Sequence, residues 1–167
     1  LINNVLNEFR HVLLGISILG EITPKSKDYL LSFGERLSTP IVSCALNCSG
    51  LKSNYLTGKE VGILTNSHFS DAKPLMDTTK LRVHHKIEPL LKEKIIPVVT
   101  GFIGCDQNGN ITTLGRGGSD YTATIIAASI NADEVFLWSD IDGLMTADPK
   151  IVKDAIVLEE VSILGAL

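Results

Sequence analysis

The sequence predicts a layered α/β fold, and three observations carry that prediction. Apolar residues recur at helical spacing over residues 5–14 and 81–93. A continuous apolar run over residues 95–103 reads as a buried strand. An Ala/Ile-rich helix over 119–132 then leads into a second apolar run at 135–138. Helix and strand signals thus alternate, the order expected of helices packed on a sheet. With 167 residues the chain is long enough for one domain with a real core.

Each element has its own signal. Val5, Leu6, Phe9 and Leu13 mark a first helix. Thr23-Pro24 opens the second, because Thr caps a helix and Pro suits its first turn. Tyr29, Leu30, Phe33, Leu37, Ile41 and Ala45 continue it, while Gly34 and Pro40 interrupt it. Two helices or one kinked helix are therefore expected, ending near residues 47–50. Residues 52–65 are polar and turn-rich, with Val61-Gly62-Ile63-Leu64 as a weak strand. Val83, Ile87, Leu90 and Leu91 lie on one side of the next helix. After the 95–103 strand, Asp106-Gln107-Asn108-Gly109 is a hairpin-type turn, since Asn-Gly tolerates positive φ. A return strand begins at 111–114. The following helix is opened by Ser119 as a capping residue and by an acidic first turn. Asp142-Gly143 and Asp148-Pro149 are turn formers and receive no chemistry. There is no repeat and no low-complexity linker.

Composition narrows the class. Apolar residues make up 44% and charged residues 20%, so an ordered globular chain is expected. The formal net charge of −4 lacks the basic excess of a nucleic-acid binder. No apolar run is long enough to cross a membrane. Cys44, Cys48 and Cys105 form no disulfide framework, and unpaired thiols suit the reducing cytoplasm. Cys44 and Cys48 lie at the spacing of a shared helix face, but without a second ligand pair they read as small apolar residues. The scattered histidines read as polar helix residues, and no residue is assigned as a metal ligand. The chain starts without Met and looks cut from something longer.

The chemistry concentrates in Thr112-Thr113-Leu114-Gly115-Arg116-Gly117-Gly118-Ser119-Asp120-Tyr121-Thr122. A strand runs into three glycines and then into a helix. Glycines let a ligand approach the backbone closely. The helix start offers bare N–H groups and a positive dipole end, which together make an anion site. Arg116 adds a planar fork that grips carboxylate or phosphate at two points. No Lys follows the glycines, so the Walker pattern is absent.

This stretch resembles the substrate signature of the aspartate kinases, within the amino acid kinase superfamily. Three further segments agree in order and spacing. Ser32-Phe33-Gly34-Glu35-Arg36-Leu37-Ser38 resembles the family's Ser-x-Gly-Glu segment. The run from Pro97 to Gly104 resembles its central strand and loop, and the run from Trp138 to Lys150 resembles its nucleotide segment. The resemblance reaches from the first helix to about Ser162. It implies a three-layer α/β/α sandwich of the amino acid kinase (carbamate kinase-like) type, incomplete here, with residues 1–167 as a partial catalytic domain.

The resemblance also implies roles. Arg116, Gly117, Gly118 and Ser119 would hold L-aspartate, and Glu35 would meet its α-amino group. Asp120 would organise catalytic lysines around the transferring phosphoryl group; as a first-turn carboxylate it also suits the helix dipole. Ser139, Asp140, Met145 and Lys150 would contact ATP. Met145 and Lys150 stand where relatives often carry Tyr and Arg, so a hydroxyl and a guanidinium fork are lost there. The implied reaction is ATP- and Mg²⁺-dependent phosphorylation of the aspartate side chain to 4-phospho-L-aspartate, the first step of lysine, threonine and methionine biosynthesis. An aspartate carboxylate is already ionised at neutral pH and needs no general base. Catalysis then reduces to positioning and cations.

The family's N-terminal Lys-x-Gly-Gly loop, its later Gly-Ala-Lys segment and its regulatory domains have no counterpart here. Poor phosphoryl transfer by the isolated chain is therefore expected. An unpaired sheet edge would favour a homo-oligomer, such as a dimer, or association with the missing segments. The alternatives are an amino-acid-binding module of the same fold and a related kinase with another carboxylate acceptor.

Overall fold

The computed structural model describes residues 1–138 and 143–162. The chain divides into two compact units, Leu1–Val135 and Phe136–Leu167. The first contains α1 (Ile2–Leu19), α2 (Pro24–Cys48), β1 (Ser53–Leu56), α3 (Gly58–Val61), α4 (Met76–Lys92), β2 (Ile96–Val99), β3 (Ile103–Cys105), β4 (Ile111–Thr113) and α5 (Gly118–Ile130). β1 and β2 pair in parallel, with Ser53 opposite Ile96 and Leu56 opposite Val99. β3 and β4 form an antiparallel hairpin, and Leu64 bridges Cys105 in parallel.

The layers follow from the pleat of β1. Ser53 and Leu56 are three positions apart, so they face opposite sides of the sheet. The Ser53 hydroxyl lies 2.8 Å from that of Ser43 on α2. Leu56 instead joins Val61, Ile63, Val83 and Ile87 in the core, against which Leu90, Val99, Ile126 and Ile130 pack. One face of the strands therefore carries α2 and the other carries α4 and α5. α1 packs on α2 through Phe9 and Phe33, whose rings are 5.1 Å apart. Glu8 accepts a two-point grip from Arg36 and a hydrogen bond from the Tyr29 hydroxyl. Those donors, led by Arg36, hold the Glu8 carboxyl below its usual range against the effect of burial. This is the three-layer α/β/α arrangement expected from the sequence.

Several expectations hold in detail. Thr23 caps α2, its hydroxyl accepting from the Ser26 amide at 3.1 Å, and Pro24 occupies the first turn. The 106–109 turn closes the β3–β4 hairpin, with Gly109 at φ +78°. Asp106 organises it, accepting from the Asn108 and Asn110 amides, the Asn110 side chain and the Ser67 hydroxyl. No described helix is long and apolar enough to cross a membrane.

Other expectations are corrected. Of the two alternatives for the Gly34 and Pro40 stretch, separate helices are excluded, because α2 is one helix from Pro24 to Cys48. Thr39, Pro40 and Ser43 are buried against the rest of the unit, so tertiary packing outweighs the local helix penalties. The weak strand expected at 61–64 does not form: Val61 ends α3, which a reciprocal capping box of Thr57 and Glu60 opens, and Leu64 makes only an isolated bridge to Cys105. The long strand over 95–103 stops at Val99, where the chain turns through Thr100, Gly101 and Phe102 before β3 begins. The N-cap of α5 is Gly117, not Ser119, which lies inside the first turn and makes no capping bond. Residues 135–138 form no strand, and Trp138 is 93% exposed. An apolar run becomes a strand only where a neighbour accepts its ladder hydrogen bonds.

The second unit is a small looped hairpin among its described residues. Met145 and Val157 form an antiparallel bridge, flanked by the Thr146 amide on the Ile156 carbonyl and the Leu158 amide on the Leu144 carbonyl. Asp148 makes the expected turn, its carboxylate accepting from the Lys150 amide at 2.8 Å. Asp142, half of the other expected turn, lies outside the described residues.

Candidate active site

The site is assembled where β2 and β4 end and α5 begins. At the end of β1 and β2, the Thr100 hydroxyl accepts from the Gly58 amide at 2.8 Å, and the Thr100 amide donates to the Leu56 carbonyl at 2.9 Å. These bonds lock the strand ends before the chain turns. Phe102 then takes φ +66°, a conformation unfavourable for a bulky side chain. Two bonds hold it there: its amide donates to the Thr122 hydroxyl of α5, and its carbonyl accepts from the Leu114 amide. The β2–β3 turn is thus fastened to both sides of the glycine loop.

That loop takes its shape from glycine. Gly115 and Gly117 have φ +76° and +71°. A Cβ on Gly115 would stand 2.7 Å from the Asp71 carboxylate, and one on Gly118 would stand 2.8 Å from the Phe102 ring. The Gly118 amide donates back to the Gly115 carbonyl, and the Tyr121 amide opens the helical ladder onto Gly117. Between them, the Ser119 and Asp120 amides have no acceptor among the described residues. The Arg116, Ser119 and Asp120 side chains are exposed around these amides, with no internal partner among the described residues. A guanidinium, a hydroxyl and two bare amides at a helix start are suited to binding an anion.

α2 supplies the opposite charge. Glu35 is half-buried, and its carboxylate has no hydrogen-bond or ion-pair partner among the described residues. Burial alone pushes its pKa above the ordinary value. Arg36, its neighbour, is taken up by Glu8 and lies over the Phe33 ring, 4.7 Å from the centroid. The helix therefore uses one charged residue to bind α1 and leaves the next available to a ligand.

The structure brings Arg116, Gly117, Gly118, Ser119 and Asp120 together in one loop and helix turn. It places Glu35 on the helix that packs against β4 and β1. Met145 and Lys150 belong to the second unit, where Met145 is half-buried and Lys150 exposed. Ser139 and Asp140 lie outside the described residues. Sequence reasoning missed Asp28, Thr100, Phe102 and Thr122, which hold the site in shape. No local signal marks them: Asp28 reads as an early-helix acid and Phe102 as a strand residue. Among the described residues no three His, Cys, Asp or Glu side chains gather at metal-binding distance.

Comparison with known proteins agrees with this architecture. The amino acid kinase family matches residues 5–166. Aspartokinase 1, chloroplastic, of Arabidopsis thaliana is 39% identical over 90% of this chain and 26% of its own length. The aspartokinase of Pseudomonas aeruginosa is 39% identical over 90% of this chain and 36% of its own. The solved structure of E. coli aspartokinase III in complex with aspartate and ADP superposes at a TM-score of 0.81. It is 31% identical, over 92% of this chain and 35% of that one. The chain thus spans about a quarter to a third of the relatives it matches. With the family match running almost end to end over an α/β/α scaffold, the chain belongs to the amino acid kinase family.

Proposed function

We propose that the protein carrying this chain transfers the γ-phosphoryl group of ATP to the side-chain carboxylate of L-aspartate, giving 4-phospho-L-aspartate, and that residues 1–167 form part of its catalytic domain. One observation carries the reading: the Glu35 carboxylate and the side chains of Arg116, Ser119 and Asp120 lie in one packed unit, and none has a partner among the described residues. An amino acid with two carboxylates and one ammonium group matches that set of charges. The similarity to aspartokinases favours aspartate among such ligands. So does the bound aspartate named for the E. coli structure.

The roles follow from charge. Glu35 receives the α-ammonium group, and its desolvation strengthens that attraction. Arg116 and the Ser119 hydroxyl, with the bare amides, hold carboxylate oxygens. The reacting carboxylate is ionised at neutral pH, so the site has only to orient it and offset charge repulsion. Asp120 stands where a carboxylate can orient lysine side chains around the phosphoryl group. Ser139, Asp140, Met145 and Lys150 are assigned to the nucleotide. A Mg²⁺ ion would ride on phosphate oxygens and water, the usual mode for nucleotide-bound Mg²⁺, and would neutralise phosphate charge there. The exposed, unpaired Cys44 and Cys48 fit a reducing compartment such as the cytoplasm.

Calorimetric titration of the folded chain with L-aspartate tests the pocket. Saturable binding is expected, weakened by roughly tenfold or more in Arg116→Ala, the scale of a lost charge-assisted pair. Absence of binding by a demonstrably folded chain, or binding unchanged in Arg116→Ala, contradicts the assignment.

A further inference from the structure

The turn between β2 and β3 carries its glycine one residue away from where the backbone asks for it. The Ile103 amide donates to the Gly101 carbonyl at 2.7 Å, two residues back, the bonding pattern of a γ-turn centred on Phe102. Phe102 therefore takes the positive φ, +66°, that a glycine would adopt without strain. Gly101 itself does not have positive φ. Its missing side chain is thus not a demand of its own backbone.

Space demands it instead. A Cβ on Gly101 would stand 2.8 Å from the Ser119 Oγ, 3.0 Å from the Ser119 Cβ and 3.1 Å from its Cα. The hydroxyl can rotate away, but the Cβ and Cα move only with the first turn of α5. Gly118 mirrors the arrangement: it too lacks positive φ, and a Cβ there would lie 2.8 Å from the Phe102 ring and 3.3 Å from the Phe102 Cα. Two consecutive residues of the turn thus interlock with two of the helix start, each pair admitted by one glycine. The buried Thr122 hydroxyl fastens them, accepting from the Phe102 amide at 3.0 Å and donating to the Gly118 carbonyl at 2.7 Å. The Ser119 side chain seated by this interlock is exposed and has no partner among the described residues.

We propose that Gly101 is a positioning residue for ligand binding: by leaving room for Ser119 it lets the first turn of α5 seat against the β2–β3 turn, and so sets where the Ser119 hydroxyl and the bare amides beside it meet a carboxylate. This rests on the proposed function, which assigns those groups to L-aspartate, and holds for either carboxylate of that ligand. The three atoms nearest to a Cβ at Gly101 all belong to one residue, and that residue supplies both a hydroxyl and a bare amide to the ligand. Restoring ordinary contact would shift Ser119 by roughly half an ångström or more, the tolerance within which binding groups must be held.

The test is a double-mutant cycle: the unaltered chain, Gly101→Ala, Ser119→Gly and the double variant are titrated with L-aspartate at a temperature where each is folded. Ser119→Gly removes the hydroxyl and the Cβ that the new methyl would meet. Gly101→Ala is expected to weaken aspartate by about tenfold or more when Ser119 is present, and by less than about threefold in the Ser119→Gly background. An equal loss in both backgrounds, or no loss in either, overturns the proposal, because the glycine then acts on the fold at large or not at all. Should Gly101→Ala not fold, folding restored by Ser119→Gly supports the contact, and folding not restored overturns the proposal. A second readout does not depend on the ligand. The Tyr121 amide opens the helical ladder onto Gly117, so its hydrogen exchange reports the seating of the first turn. If the chain binds no aspartate, or Ser119→Gly alone abolishes binding, this exchange decides, and in the first case the proposed function fails separately. Exchange faster by about tenfold or more in Gly101→Ala, relative to the amides of α4, supports the proposal if Ser119→Gly cancels the change. Exchange that is unchanged, or equally accelerated in both backgrounds, overturns it.

Discussion

Asp28 and Glu35 are two carboxylates on one helix, two turns apart, in opposite states. Asp28 has no exposed surface and takes four hydrogen bonds from two partners. Glu35 is half-buried and takes none among the described residues, so burial raises its pKa. A buried charge survives folding when donors surround it. A partly buried charge without donors is a cost that a ligand's opposite charge can offset. The first carboxylate holds the scaffold, and the second is the one proposed to bind the ligand.

The largest effect that tests this contrast is at Asp28. Asp28→Ala removes the acceptor for the Ser70 and Thr113 amides and leaves them unpaired, at a cost of about 4 kcal/mol in urea-induced unfolding. A loss under about 1 kcal/mol would mean that water or a rearranged loop replaces the clamp.

Asp106 sharpens the comparison, because it too is buried among donors but lies in the hairpin turn away from the glycine loop. Burial acts to raise its pKa and is outweighed by hydrogen bonds from Asn110, Ser67 and Asn108, so the net shift is downward. Asp106→Ala is expected to cost about 2 kcal/mol. Because the folded pKa is depressed, this stability is present above the ordinary value of 3.8 and is lost as pH falls below it. The gap between the denaturation midpoints of the two proteins should therefore narrow as pH is lowered below 3.8. A gap that persists unchanged would assign the effect to packing instead of charge.

Glu35→Gln should have the smallest effect on stability. Its folded pKa lies above 4.5, so the ionised group opposes folding near neutral pH, and that opposition fades as pH falls through the raised value. The variant should match or exceed the unaltered chain at pH 7 by no more than about 0.5 kcal/mol, with the gap closing toward pH 4.5. Destabilisation comparable to Asp28→Ala would show that Glu35 also serves the scaffold.

The contrast also explains what could be read from sequence. Thr23-Pro24, the Asn-Gly turn and the glycine loop before α5 each carry a local signal, and the structure follows them apart from the exact capping residue. Thr57 and Glu60 carry a capping-box signature, but the neighbouring apolar Val61, Ile63 and Leu64 mimic a strand. β1 was illegible because one of its inward residues is Ser53, satisfied by Ser43 and Asn47 rather than by apolar contact. Gly34 and Pro40 look like breaks, yet long-range packing keeps α2 whole. Among the proposed site residues, Arg116 and Glu35 are legible through motif resemblance. Asp28 is not, because its four bonds reach residues 42 and 85 positions away.

The most direct test of the account compares L-aspartate with succinate, the same dicarboxylate without its amino group, on the unaltered chain and on Glu35→Gln. The account predicts that the unaltered chain prefers aspartate and that Glu35→Gln loses roughly tenfold or more of that preference while succinate binding stays nearly constant. Equal weakening of both ligands, or no change in either, would contradict the assignment of Glu35 to the ammonium group and with it the separation between a scaffold carboxylate and a ligand carboxylate on α2.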